Sequence, residues 1–160
     1  THGLVGALFW SILIYLLYYY GIKRNFPNRK NVAWVMALAV LSHWFIDLIV
    51  HTPDLPLLSG EPKLGFGLWH YKELSFIVEA LLLLAGWIYY MYNTKSKNNW
   101  YRYFAIAFII LLLAVNYVNF YVLPPATGDL IGLTSSALFS YFVLALLAYL
   151  MDRGRVYSAA

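Results

Sequence analysis

The chain has no cysteine among its 160 residues. Disulfides and thiolate metal sites are therefore excluded, and several enzyme classes with them. Charge is scarce too, at 11% of residues, and no basic face interleaved with stacking aromatics is present to suggest a nucleic-acid partner. Four histidines are fewer than a membrane di-iron oxygenase requires. The long apolar runs contain no proline, and the chain shows neither an internal repeat nor a low-complexity tract nor room for a second domain. What fills the sequence instead is apolar: 62% of residues, with a mean hydropathy of +0.66. A water-soluble domain of this size does not have that composition, so lipid is the expected solvent.

Five runs are long enough to cross a hydrocarbon layer of roughly 30 Å, which takes about 20 helical residues. They extend from Leu4 to Tyr20, Val32 to His51, Leu74 to Tyr92, Tyr103 to Leu123 and Leu133 to Met151. The first is too long and too aromatic for a cleaved signal peptide and reads as a spanning helix. Breaks between the runs carry Pro27, then Pro53, Pro56 and Pro62, then the polar stretch from Asn93 to Arg102, then Pro124 and Pro125. The expected fold is an all-α membrane protein: one domain over residues 1–160, a bundle of about five transmembrane helices.

Lys and Arg set the orientation, because short cytoplasmic loops hold their excess. Lys23, Arg24, Arg29 and Lys30 lie in the first loop, Lys95, Lys97 and Arg102 in the third, and Arg153 and Arg155 in the tail. Five spans place these three regions on one side. The N-terminus is then expected outside and the C-terminus in the cytoplasm, in a bacterial inner (plasma) membrane. Tyr18 to Tyr20, Trp87 to Tyr92, Trp100 to Tyr103 and Tyr149 fall at the same cytoplasmic interface, the depth amphipathic rings prefer.

On this map the polar residues collect in the outer half. His2, His43, His51 and His70 lie there, with Asp47 and Glu79, the two acidic residues within spans. Asn116 and Asn119 reach the same level on the fourth helix, and Ser75 lies one turn from Glu79. One outward-opening polar cavity would account for them. An ionisable group at membrane depth costs about 2.5 to 3.5 kcal/mol on insertion scales, so Asp47 and Glu79 call for a partner or a task. His43, Asp47 and His51 follow one another at spacings of four, nearly on one helix face. Either neighbouring pair offers imidazole nitrogen and carboxylate oxygen to one cation, as zinc accepts. His43 and His51, about 12 Å apart on a straight helix, do not share an ion, and further ligands are expected from His2 or Glu79. The blander reading makes His43 and Asp47 an interhelical hydrogen-bonded pair. It makes His70 an ordinary loop residue, Asp54 a turn acid, Ser135, Ser136 and Ser140 small packing residues, and Gly3 and Gly6 points of close helix approach.

The runs Thr1-His2-Gly3-Leu4-Val5-Gly6, Ser42-His43 with Asp47 four residues on, His51-Thr52-Pro53-Asp54-Leu55-Pro56-Leu57 and Gly65-Phe66-Gly67-Leu68-Trp69 carry a resemblance. The chain resembles small bacterial integral membrane proteins described as metal-dependent hydrolases, and is similar to the LexA-regulated inner-membrane hydrolase family. The likeness covers roughly the first 90 residues; the last two helices match only in being apolar. The family's acidic Pro-Asp segment between the first His and the Ser-His motif is absent here. The resemblance implies a metal at a site that includes His2, His43 and Asp47.

Residues and resemblance together lead to the expectation of a metal-dependent hydrolase. A single divalent ion, zinc-like, would be bound by His43, Asp47 and one or two of His2, His51 and Glu79. Whichever of Glu79 and Asp47 is not a ligand would serve as the catalytic base. A site open to lipid implies an amphiphilic or lipid-linked substrate and membrane lipids as partners. Two rivals stand beside it: a proton or cation relay or transporter component, for which the inner half offers few polar groups, and a noncatalytic membrane subunit or assembly factor.

Overall fold

The computed structural model describes residues 3–21, 28–58, 60, 62–123 and 130–157. An apolar run in lipid must satisfy its own backbone hydrogen bonds, and within one segment only a helix does so. Among the described residues five helices are long and apolar enough to cross a membrane. The first is α1 (Leu4–Leu16), continued by a π-helical turn over Leu17–Gly21; then come α2 (Arg29–Val50), α3 (Lys72–Asn93), α4 (Asn99–Tyr121) and α5 (Leu130–Arg153). The protein buries only 17% of the most apolar stretch of α2 and of α4, and none of that of α5. Their apolar surface thus faces outward, the arrangement a lipid solvent favours.

α2, α3, α4 and α5 begin before their expected spans, because hydropathy reports membrane depth and not where helical hydrogen bonding starts, while α2 and α4 end short of theirs, at Val50 and Tyr121. α2 begins at Arg29 rather than Val32, and α4 at Asn99 rather than Tyr103, where the Asn98 side chain accepts a hydrogen bond from the Tyr101 N–H at 3.2 Å. By contacts the chain divides into two compact units, Thr1–Ser75 and Phe76–Ala160.

In the first unit α1 packs on α2. Ala33 and Ala37 are buried where the backbones approach, and Ser11 Oγ donates to the Ala37 carbonyl at 2.7 Å in that buried seam. α2 stops at Val50: His51 is extended, and Pro53 follows two residues on. The following loop folds back over the helix end, where the Phe66 N–H donates to Leu48 O (2.8 Å) and the Gly67 N–H to His51 O (2.7 Å). Two of the carbonyls left open at a helix C-terminus are satisfied in this way. The fold-back needs glycine at 65, since a Cβ there would overlap the carbonyl oxygens of Thr52 and His51. A short antiparallel pair, β1 (Leu55–Pro56) with β2 (Lys63–Leu64), closes the loop over buried Leu55. Gly3 does make a close approach, but to the loop backbone instead of a helix: its Cβ position lies 3.0 Å from Leu58 O.

In the second unit Ala105, Phe108 and Met151 form the centre of a core that Tyr90, Met91, Phe104 and Leu147 flank. Trp87 Nε1 donates to Ala105 O at 3.0 Å, so this ring, expected at a membrane interface, bonds α4. β3 (Thr94–Ser96) pairs antiparallel with β4 (Arg155–Tyr157), which puts the third loop and the tail on the same side, in keeping with their shared positive charge. Arg155 is buried in this join, where its guanidinium donates to Thr94 Oγ1 (2.6 Å), Thr94 O (2.9 Å) and Ser96 Oγ (2.7 Å). The expected packing role of the α5 serines is not found. Ser135, Ser136 and Ser140 are exposed, and the hydroxyls of Ser136 and Ser140 bond back to Leu133 O and Ser136 O of their own helix.

Candidate functional site

The strongest sequence signal, His43 with Asp47, sits toward the C-terminal end of α2. Asp47 lies three residues and His43 seven residues before Val50, about 5 and 10 Å from the helix end. One helical turn brings His43 Nε2 to 3.4 Å from Asp47 Oδ2. The two side chains differ sharply in exposure: 12% for Asp47 and 74% for His43. The carboxylate is thus rooted in the unit while the imidazole opens outward. Trp44, next to His43, is buried, and its indole N–H has no hydrogen-bond partner among the described residues.

His51 parts company with this pair. The sequence places it on the same helix face, yet the helix ends one residue earlier, and its extended backbone turns the ring toward the loop. There His51 Nδ1 lies 3.0 Å from Asp54 Oδ1, and the ring packs on Trp69 at a centroid distance of 4.5 Å. Asp54, expected to be a turn acid, partners this histidine and so ties the loop. His70 is exposed in a short 3-10 turn, Leu68–His70, as a loop residue would be. His2 lies outside the described residues.

Glu79 belongs to the second unit. There it lines an open groove of about 390 Å³ with Leu82, Leu83, Leu112, Val115, Asn116 and Asn119, between α3 and α4. Asn116 is buried, and its Nδ2 donates to Phe76 O at 3.4 Å. Of the residues expected in one polar cavity, this groove brings together Glu79, Asn116 and Asn119. Ser75, one turn away in sequence, is fully buried and donates instead to Leu68 O at 2.8 Å, a tie within the first unit.

His43 and Asp47 are donors of the kinds a zinc-like ion accepts, one nitrogen and one oxygen, and they fit two positions of a tetrahedral set. Among the described residues no group of three or more His, Asp or Glu side chains comes together to hold an ion. Comparison with protein-family models, curated proteins and solved structures finds no match to this chain.

Proposed function

We propose that the protein is a membrane-embedded, metal-dependent hydrolase acting on an amphiphilic or lipid-linked substrate. The observation that carries this reading is the His43–Asp47 pair, 3.4 Å apart near a helix end, with the acid rooted in protein and the imidazole facing out. His43 and Asp47 hold the ion in this reading; His2, a further donor expected from the sequence, lies outside the described residues. His51, engaged by Asp54, anchors the loop. A bound divalent ion would polarise an ester, amide or phosphoester oxygen and acidify water. The chain's own residues would position it: Asp47 from a mostly buried root, His43 from the open side through which an amphiphile approaches.

In this proposal the N-terminus lies outside and the C-terminus in the cytoplasm of a bacterial inner membrane, with the pair at the outer face. Asp47 at that depth would carry a charge whose insertion cost a cation offsets.

Elemental analysis of the detergent-purified protein tests the reading beside His43→Ala and Asp47→Asn. Near-stoichiometric zinc or another transition metal in the parent, lost in both variants, is the expected result. Metal retained by both variants, or absent from the parent after purification with added zinc, would overturn it. A screen of lipid esters and phosphoesters then identifies the bond cleaved.

A further inference from the structure

The α3–α4 groove of the second unit has a chemistry of its own, separate from the His43–Asp47 pair. Its polar groups gather toward one end. Asn119 and Asn116 lie two and five residues before Tyr121, about 3 and 8 Å from the end of α4, and Glu79 lies about 10 Å into α3 from Lys72. Val115, at about 9 Å on α4, lies level with Asn116 and Glu79, and the lining beyond them is apolar: Leu112 at about 14 Å on α4, and Leu82 and Leu83 at about 15 to 16 Å on α3. Entered from that end, the groove passes from polar to apolar in the order in which a membrane lipid passes from headgroup to chain.

The polar groups supply a carboxylate and two carboxamide oxygens as acceptors. The Glu79 carboxylate and the Asn119 side chain have no hydrogen-bond partner among the described residues. Asn116 spends one of its two amide N–H groups on Phe76 O, which leaves its other N–H and its carbonyl oxygen open. No basic side chain lines the groove. A primary ammonium supplies three donors and one positive charge, the complement of a carboxylate flanked by carboxamide oxygens. A volume of about 390 Å³ is within the range of small-ligand sites.

We propose that this groove seats one membrane lipid with a primary ammonium headgroup, its nitrogen held by Glu79 with Asn116 and Asn119 and its chain along Leu82, Leu83, Leu112 and Val115. The carboxylate disfavours anionic headgroups, and the leucines disfavour a bare hydrated cation. The site does not depend on the metal reading as proposed from His43 and Asp47; Glu79, expected from the sequence as a further ligand or base, serves the lipid here instead.

Dodecylamine is the probe, titrated into the full chain in a maltoside detergent and followed by thermal unfolding. The expected result is saturable stabilisation by dodecylamine, with little from dodecanol or from ethanolamine alone. Glu79→Gln, nearly isosteric, should weaken dodecylamine roughly tenfold, the size of one hydrogen bond to a charged group. Val115→Phe, which fills the groove at the level of Glu79, should abolish the response, and His43→Ala should leave it unchanged. Equal stabilisation by dodecanol, a response in Glu79→Gln as strong as in the parent, or ethanolamine alone acting as well as dodecylamine would each overturn the proposal.

Discussion

Arg155 Nε donates to Thr94 Oγ1 at 2.6 Å, joining residues 61 positions apart and closing the C-terminal strand onto the turn between α3 and α4. Two further guanidinium bonds, to Thr94 O and Ser96 Oγ, leave the side chain enclosed, with Tyr90's ring 5.1 Å from Cζ. Arg155→Ala would strand these acceptors, two of them on buried Thr94, at a cost of about 2–3 kcal/mol. Arg155→Lys restores charge but not the planar fork, so it should recover only part. Thermal unfolding in detergent, with limited proteolysis of the tail, measures both. A tail as resistant in Arg155→Ala as in the parent would mean that the join does not hold it.

Tyr157 reports on the same join. Burial first, then the charge of Asp152 and a hydrogen bond to it, raise the Tyr157 hydroxyl above its ordinary value near 10. A folded-state value above the unfolded one means that its contribution to stability is full below about pH 10 and is lost as pH rises through the raised value. Tyrosinate absorbance, taken as the difference between the parent and Tyr157→Phe, should therefore place this residue later than a free tyrosine. In Asp152→Asn the midpoint should move back toward 10. An unmoved midpoint would remove Asp152 as a cause.

The pairing of Lys95 with Val156 gives a test of sidedness. Antiparallel partners have Cα atoms about 4.5 to 5.5 Å apart, within disulfide reach. Because the chain has no cysteine, Lys95→Cys with Val156→Cys is the only thiol pair present. Mild oxidation in membranes should cross-link it, and a membrane-impermeant thiol reagent should block the link only from the cytoplasmic side. Blocking from outside would reverse the proposed orientation and carry the His43–Asp47 pair to the inner face.

Much of this protein was legible in its sequence, for a plain reason. In lipid an apolar run has one way to satisfy its backbone, so the number of spanning helices follows from where proline and polar residues interrupt apolar ones. The one-turn meeting of His43 with Asp47 was equally local, since a spacing of four on a helix is a distance. Local spacing failed for His51, because whether α2 continued past Val50 depended on Phe66 and Gly67 returning to cap it.

The sequence by itself determined the five apolar helices, the absence of thiol chemistry and the adjacency of His43 and Asp47. Only the tertiary structure decided that Arg155, one of several tail cations by composition, is buried and satisfied, and that His51 answers to Asp54. It also brought Glu79 into one groove with Asn116 and Asn119 of α4, which their common depth in the sequence had suggested. The Arg155 join and the groove rest on groups far apart in the chain or on backbone carbonyls that no residue name reveals, whereas His51 meets Asp54 three residues on because α2 ends at Val50.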